Sequence, residues 1–273
     1  MTEKDYVLGT HDEEIARLGL QHRVWRPRAA DAWRRAGFTT GQRILDVGCG
    51  HGYASLDLAE IVGPAGRIVS VDRSRRFLDF LEASARERRA ENIETRELDL
   101  DESPLPPGPF DGAWARWVFA FVRRPKALLE RIARRLKPGG VFLFNVWDRI
   151  EENEFADTVT TALVSLFPKD PPRFMARTPH GYCDHRVIER DLAGGGFIAA
   201  PRIDTVTARS RAASARDVAI AYCQGTPLRS EIESRDAARL GEATDVAAEA
   251  LAKRFGKGAV DGKIQAHVIT IES

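Results

Sequence analysis

The chain has 273 residues, which suits one large domain or a core domain with a smaller cap. Its 41 basic and 40 acidic residues give a formal net charge of +1, which excludes a bulk electrostatic attraction to nucleic acid or to an anionic membrane. Three scattered cysteines exclude a disulfide framework or a zinc site, and no apolar run reaches the length of a membrane span, so we expect a cytoplasmic protein without a metal.

The first 40 residues are charged and mixed, and their pattern predicts a helical cap segment. Apolar side chains at roughly helical spacing predict a helix over residues 11–20. A second helix is predicted over residues 29–36, because it follows Pro27 and proline favours the first turn of a helix.

Residues 44–53, ILDVGCGHGY, are the most informative stretch of the sequence. They predict a short buried strand over 44–47, a tight turn containing Gly48, Gly50 and Gly52, and a helix over 54–61. A glycine turn lets a ligand approach the main chain closely, because no Cβ stands in the way. The stretch therefore predicts a loop that binds a nucleotide cofactor.

The details of this loop bear on which cofactor it binds. The dinucleotide fingerprint Gly-x-Gly-x-x-Gly requires a third glycine where this chain has Tyr53, which weakens a nicotinamide assignment. Asp46, at the end of the strand, places an anion where a pyrophosphate would approach. The same carboxylate suits a cofactor that carries an ammonium and a sulfonium group.

The next three predicted strands place polar groups at one edge of the sheet. A strand over 67–72 ends in Asp72, about 20 residues after the loop, where doubly wound folds place the carboxylate that binds a ribose diol. A strand over 94–98 precedes Asp99, and a strand over 110–118 ends near Arg116 and Trp117. Trp117 is expected to lie against an adenine, to face a sulfonium through a cation–π contact worth roughly 0.5–2 kcal/mol, or to be a core aromatic.

The remaining pattern completes the sheet and adds helices. A helix that begins at Pro125 carries an apolar stripe as far as Leu136, the turn at 137–140 ends it, and an apolar strand follows over 141–146. Strands and helices alternate up to this point, which predicts a parallel sheet. Later elements are predicted as helices over 154–166, 184–192, 214–225 and 236–255 and strands over 203–208 and 264–271, the last strand antiparallel.

Three motifs carry a resemblance to a known family. The sequence LDVGCGHG at 45–52 looks like the first motif of class I S-adenosylmethionine (SAM) dependent methyltransferases, and Phe-Asp at 110–111 and RLKPGG at 135–140 are similar to later motifs. The resemblance covers roughly residues 40–150, with N-terminal similarity to small-molecule methyltransferases of the ubiquinone/menaquinone-biosynthesis type. It implies a Rossmann-like, seven-stranded, mostly parallel sheet with helices on both faces, plus a helical cap from the N-terminus and late insertions.

That fold implies four segments. Residues 1–40 are the N-terminal helical cap segment, 41–150 the SAM-binding core, and 151–182 a cap insertion. Residues 183–273 supply the rest of the core sheet, with a helical insertion over 207–261.

The resemblance also implies the cofactor and the residues that bind it. The cofactor is SAM, and the product is S-adenosylhomocysteine. The Leu-Asp-Leu at 98–100 is expected to meet the adenine, although Asp99 could instead cap a turn. The residues assigned to the cofactor are Tyr6, Gln21, Asp46, Gly48, Cys49, Gly50, Asp72, Arg73, Asp99, Leu100, Arg116 and Trp117.

Methyl transfer makes modest demands on side-chain chemistry. It is an in-line displacement of a neutral thioether, so alignment of acceptor, methyl and sulfur is most of the protein's work. A general base is needed only when the acceptor must lose its proton early. Weak candidates for this role are His22, His180, Tyr182 and His185, each of which is better explained as structural or as a pocket wall.

The expected acceptor is a small, partly apolar molecule rather than nucleic acid. Aromatic residues of the variable segments that could line its pocket, or form cap core instead, are Trp25, Phe155, Phe167, Phe174 and Tyr222. Two other functions are compatible with the motifs: a SAM-binding protein that has lost catalysis and a nicotinamide oxidoreductase. A homodimer is compatible with the sequence, which specifies neither the acceptor nor the methylated atom.

Overall fold

The computed structural model describes residues 12–273 of the chain. Its strands are β1 Arg43–Val47, β2 Arg67–Asp72, β3 Ile93–Glu97, β4 Phe110–Arg116, β5 Leu136–Trp147, β6 Arg202–Ala212 and β7 Val260–Glu272. Its α-helices are α1 Asp12–Arg35, α2 Tyr53–Val62, α3 Arg75–Arg88, α4 Pro125–Ala133, α5 Glu154–Leu166, α6 Phe174–Arg177, α7 His185–Gly194, α8 Ala215–Cys223, α9 Leu228–Asp236 and α10 Leu240–Phe255. Within this described range, no helix combines the length and apolar character needed to cross a bilayer.

The strands form one seven-stranded sheet in the order β3-β2-β1-β4-β5-β7-β6. The pairs β1–β2, β2–β3, β1–β4 and β4–β5 are all parallel. The strand β7 runs antiparallel to β5, because Ser273 N–H donates to the Gly140 carbonyl while Asp148 N–H donates to the Gln265 carbonyl. The mostly parallel sheet with a reversed last strand is therefore confirmed. From β1 the chain adds β2 and β3 on one side and then crosses to add β4 and β5 on the other. Open α/β sheets bind their ligands at the carboxyl ends of the strands at such a switch point.

The N-terminal segment forms one helix where two were predicted. Helix α1 continues through Pro27, which lies inside it. Its buried positions include Trp25, Ala29, Ala32 and Trp33, so a single apolar stripe runs across the proline. Burial of two tryptophans outweighs the roughly 3 kcal/mol that an interior proline costs, which local propensity alone does not reveal.

The boundaries of β4 and β5 also differ from the prediction. Strand β4 ends at Arg116, because Trp117 adopts a left-handed conformation with φ of 60° and cannot continue a strand. Strand β5 begins at Leu136, which pairs with Phe110, so the predicted extension of α4 to this leucine is wrong. The KPGG segment that follows Leu136 lies within β5, and helix α4 ends at Ala133.

The described residues divide into two compact units, and we name them the core unit and the helical unit. The core unit comprises Ile15–Val146, Asp184–Asp204 and His267–Ser273. Its interior includes an aromatic cluster whose ring centroids lie 4.8–6.0 Å apart, formed by Phe119, Phe142, Phe144 and Phe197. Full burial of each ring contributes about 1.5–3 kcal/mol, so this cluster is a major source of stability.

The helical unit includes Trp147–Cys183 and Thr205–Ala266. Phe155 is 1% exposed and lies edge-on to Phe255 at 5.0 Å. A Cβ at Gly262 would lie 2.7 Å from the Phe155 ring, so this glycine lets β7 approach α5 closely. Strand β6 continues to Ala212, and the helices between β6 and β7 begin at Ala215.

Candidate cofactor site

The turn after β1 combines two packed glycines with one open glycine. Gly48, Gly50 and Gly52 have φ of 66°, 55° and 74°, a region that L-residues rarely adopt. A Cβ at Gly48 would lie 2.6 Å from Val118, and one at Gly52 would lie 2.2 Å from Leu81. A Cβ at Gly50 would have no atom within 4 Å. The middle of the turn is therefore open to a ligand, while its two ends are fixed by packing.

Asp72 holds this turn in place. Its Oδ2 accepts a hydrogen bond from Gly50 N–H at 2.9 Å, and its Oδ1 accepts one from Ser74 N–H at 2.9 Å. Asp72 is 5% exposed, and burial raises its pKa although these backbone donors oppose the shift. A carboxylate has about four lone-pair positions, so Asp72 keeps acceptor capacity for a ribose hydroxyl.

Asp46 lies beneath helix α2 and is 1% exposed. Ser55 Oγ donates to Asp46 Oδ2 at 2.6 Å, and Ser70 Oγ donates to Ser55 Oγ at 2.9 Å. Burial raises the pKa of Asp46 to about 6. Because its carboxylate is buried and bonded, Asp46 would act on a cationic ligand through its charge rather than by contact.

The segment after β3 approaches the glycine turn through Leu100. The Cδ1 atom of Leu100 lies 3.6 Å from the position that a Cβ of Gly48 would occupy. Asp99 caps the adjacent turn, since its Oδ1 accepts from Asp101 N–H at 2.7 Å. This is the alternative role that the sequence leaves open for Asp99, and contact with an adenine stays a prediction.

Arg116 and Trp117 lie at the carboxyl end of β4, next to Asn145 on β5. Arg116 pairs in register with Asn145, and Trp117 N–H donates to the Asn145 carbonyl at 3.2 Å. The Trp117 ring meets Trp25 of α1 edge-on at 5.4 Å. Asn145 is 5% exposed, and its Oδ1 has no hydrogen-bond partner among residues 12–273. A buried amide without a partner costs free energy, which marks this edge of the sheet as a candidate ligand contact.

His22 of α1 connects Arg116 to Asp57 of α2. Its Nδ1 lies 3.0 Å from Arg116 Nη1, and its Nε2 lies 3.2 Å from Asp57 Oδ2. The His22 ring stacks on Tyr53 with a centroid separation of 5.3 Å. His22 is therefore enclosed by three side chains instead of facing open space as a general base would.

The other three candidate bases have different surroundings, each described within its own unit. His180, in the helical unit, is 6% exposed, its Nδ1 lies 2.7 Å from the Asp148 carbonyl, and burial lowers its pKa. Tyr182 is half-buried in the same unit. His185 lies in the core unit and meets His267 edge-on at 4.2 Å.

The remaining predicted residues have varied surroundings. Tyr6 lies outside the described residues, while Gln21 and Arg73 are half-buried. Cys49 is 9% exposed, and burial raises the pKa of its thiol. Of the aromatic candidates, Phe155 and Phe174 are buried within the helical unit and Trp25 is buried within the core unit, whereas Phe167 and Tyr222 are half-buried.

Sequence reasoning missed four residues of this site: Ser55, Asp57, Val118 and Asn145. Ser55 and Asp57 occupy a predicted helix in which their polarity suggests only exposure. Asn145 interrupts an apolar strand, and that interruption was a usable signal.

Comparison with known proteins agrees with this geometry. Residues 45–144 match the family model described as "Methyltransferase domain". Demethylmenaquinone methyltransferase of Lactococcus lactis is 35% identical over 120 residues, which are 44% of this chain and 46% of the relative. The ubiquinone/menaquinone biosynthesis C-methyltransferase of Pseudomonas fluorescens is 25% identical over 189 residues, which are 66% of this chain and 73% of the relative. The match covers about half the length of most of these curated relatives.

A solved structure shows the same fold. Phosphoethanolamine N-methyltransferase 2 of Haemonchus contortus, in complex with phosphomonomethylethanolamine and S-adenosylhomocysteine, superposes with a TM-score of 0.55 at 19% identity, covering 90% of this chain and 52% of that one. The fold and the glycine turn define a Rossmann-like methyltransferase core. Residues 45–144 are similar to the methyltransferase domain, and the curated relatives that the chain resembles include methyltransferases of quinone biosynthesis.

Proposed function

We propose that this protein transfers a methyl group from SAM to a small, partly apolar acceptor by in-line displacement. The observation that carries the proposal is the glycine turn, whose open centre at Gly50 is held by the buried carboxylate of Asp72. The family match over residues 45–144 supports the same function.

The residues around the turn fit this cofactor. A ligand can approach Gly50 closely, and Asp72 retains lone pairs for a ribose hydroxyl. The buried negative charge of Asp46 favours a cationic group nearby. Arg116 offers guanidinium donors to a carboxylate, which is the anionic group of an amino acid moiety. Leu100 and Trp117 supply apolar surface for the adenine ring.

The chemistry divides between the cofactor and the chain. When bound, SAM supplies an activated methyl whose leaving group is a neutral thioether. The chain binds and orients, because alignment of the reacting atoms is the main source of acceleration in such a displacement. Within the core unit, His22 is enclosed by its partners and His185 meets His267 edge-on, so neither faces open space as a general base would. We infer that the acceptor either needs no base or presents an already ionised group.

The acceptor class follows from relatives and charge. Relatives named for quinone methylation suggest an aromatic acceptor of partly apolar character. The near-neutral charge of +1 gives no bulk attraction to nucleic acid, so we propose a small-molecule acceptor in the cytoplasm. A homodimer is the assembly we propose to test by light scattering.

The experiment combines binding and turnover. S-adenosylhomocysteine at 100 times its Kd should stabilise the protein by about 2.7 kcal/mol, while NADH should have no effect. Methyl-labelled SAM is then incubated with a hydroquinone, a small amine and a transfer RNA, and label should enter the hydroquinone. Stabilisation by NADH alone would contradict the proposal. Binding of S-adenosylhomocysteine without label transfer across a wide metabolite panel would favour a non-catalytic binder.

A further inference from the structure

His22 is held between an anion and a cation within the core unit. Its Nε2 lies 3.2 Å from Asp57 Oδ2, and its Nδ1 lies 3.0 Å from Arg116 Nη1. Asp57 Oδ2 also accepts a hydrogen bond from Arg26 Nε at 2.9 Å. Both ring nitrogens of His22 therefore have a charged partner: Nε2 faces the anion Asp57, and Nδ1 faces the cation Arg116.

The partners fix which nitrogen of His22 carries the proton. A guanidinium has N–H donors and no acceptor, so the Nδ1 that faces Arg116 must present its lone pair. The proton of the neutral ring must then be on Nε2, where it can be donated to Asp57. Burial raises the pKa of Asp57, but the hydrogen bonds from His22 and Arg26 outweigh burial and leave its pKa below the ordinary value. Asp57 is thus an ionised acceptor at neutral pH.

The surroundings hold this arrangement rigidly. The His22 ring stacks on Tyr53, and a Cβ at Gly19 would lie 3.0 Å from Tyr53 Oη. The side chain of Asp57 is 8% exposed and that of His22 is 9% exposed. A ring held at both nitrogens and on one face has little freedom to rotate, so its Nδ1 lone pair points in a fixed direction.

Arg116 gains its orientation from this lone pair. Its Nη1 contact with His22 uses one of five N–H donors, and the Arg116 side chain makes no other hydrogen bond within the described residues. The other donors are therefore available to an anion at the carboxyl end of β4. We propose that Asp57 and His22 are positioning residues that aim the Arg116 guanidinium at the carboxylate of the cofactor. This inference rests on the proposed function only for the identity of that carboxylate.

The proposal gives His22 a role different from that of a general base. A base needs a lone pair that faces the acceptor, whereas the Nδ1 lone pair faces a permanent cation. The hydrogen bond from Nε2 to Asp57 helps to fix the tautomer, as the second hydrogen bond of a histidine commonly does.

Two substitutions of His22 separate its two contacts. In His22→Asn the amide oxygen can occupy the place of Nδ1, so Arg116 keeps its acceptor while Asp57 loses its donor. In His22→Gln the amide nitrogen can occupy the place of Nε2, so Asp57 keeps its donor while Arg116 loses its acceptor. We expect the Kd for S-adenosylhomocysteine to rise about 10-fold or more in His22→Gln and less than about 3-fold in His22→Asn. Equal losses in the two variants, or the reverse order, would overturn the proposal.

A ligand-free measurement tests the tautomer separately. In protein labelled with ¹⁵N-histidine at pH 8, long-range proton–nitrogen spectra should show His22 with a protonated Nε2 and an unprotonated Nδ1. The His22→Gln variant identifies the signal by its disappearance. Asp57→Leu removes the acceptor that faces Nε2 and should weaken the preference for this tautomer, while Asp79→Leu, at an exposed carboxylate on α3, should not. A wild-type ring protonated on Nδ1 would refute the positioning role.

Arg116→Gln separates the failure of the positioning proposal from the failure of the proposed function. If this variant binds S-adenosylhomocysteine as tightly as wild type while the His22 tautomer is as described, Arg116 does not contact the cofactor and the assignment under the proposed function is wrong. The positioning proposal is overturned by this result, since it names the cofactor carboxylate as the target, whereas S-adenosylhomocysteine binding and label transfer by the wild-type protein would still support the proposed function. If Arg116→Gln and His22→Gln weaken binding alike, both stand.

Discussion

The Gly50 N–H and the Asp72 carboxylate form a hydrogen bond of 2.9 Å that joins the turn after β1 to the end of β2. The Asp72 carboxylate, which the sequence predicts to bind the cofactor ribose, therefore also holds the turn in its folded conformation. Cofactor affinity and the shape of the turn depend on the same side chain.

Replacing Asp72 by asparagine should weaken cofactor binding and destabilise the fold. The amide nitrogen of Asn cannot accept from Gly50 N–H or Ser74 N–H, so one backbone donor loses its partner. We expect the Kd for S-adenosylhomocysteine to rise about 10-fold or more and the free energy of unfolding to fall by about 1–3 kcal/mol. Calorimetric titration and urea denaturation measure the two effects, and unchanged affinity would refute the ribose assignment.

Asp79→Asn is the matched control for this substitution. Asp79 lies on α3, its side chain is 64% exposed, and it pairs with Arg75 at 2.8 Å. Exposed pairs of this kind contribute about 0–1 kcal/mol, so neither affinity nor stability should change appreciably.

Gly50→Ala should separate binding from folding. Gly50 has φ of 55° and open space around its Cβ position, so alanine there costs about 1–2 kcal/mol of backbone strain without a clash in the ligand-free protein. A methyl group in that open space should block the cofactor and abolish measurable binding. Gly37→Ala, with φ of 77° and equally open surroundings, should lose similar stability and keep full affinity. Equal affinities of the two variants would show that ligands do not approach Gly50.

Asp46→Asn should gain stability relative to wild type as the pH rises. The pKa of Asp46 is about 6 in the folded protein and ordinarily 3.8, so its contribution to folding is full below pH 3.8 and is lost as the pH rises through 6. Asparagine does not ionise and can still accept from Ser55. The free-energy difference between variant and wild type should therefore shift by about 2–3 kcal/mol in favour of the variant between pH 4 and pH 8. A pH-independent difference in urea denaturation would contradict this.

Asn145→Leu should stabilise the ligand-free protein and impair turnover. Because the buried Oδ1 of Asn145 has no partner among residues 12–273, an apolar side chain of similar shape removes a cost of about 1–3 kcal/mol. Asn92→Leu is the control, since the Asn92 amide donates to the carbonyls of Ala59 and Gly63, and its loss should destabilise the fold. If Asn145→Leu destabilises as much as Asn92→Leu, the amide has a structural partner.

The alternation of strands, glycine turn and helices made the sheet predictable, because hydrophobic period and turn residues act locally. The position of Asp72 followed from its place at the end of β2. The continuity of α1 through Pro27 could not be predicted from the sequence, since it depends on tertiary burial of Trp25 and Trp33. Local patterns report the chain's own preferences and not what packs against it.

The connections within the site were harder to foresee than its members. Sequence reasoning placed His22 between two predicted helices and Arg116 on a strand, and gave no reason to join Arg116 to Asp57 through His22. It treated Asp72 as a ligand group and could not show that a backbone N–H already occupies one of its oxygens. These hydrogen-bond partners depend on how strands and helices that are distant in sequence pack against each other.

The buried chain from Ser70 through Ser55 to Asp46 has a bearing on inhibitor design. Together with the bond between Gly50 and Asp72, it surrounds the turn with carboxylates and leaves the Gly50 N–H already engaged. A phosphate group placed against the turn itself would meet repulsion from these carboxylates, whereas adenosine derivatives with a protonated amine on the 5′ side would be attracted. Screening collections for this protein should therefore be weighted toward cationic nucleosides.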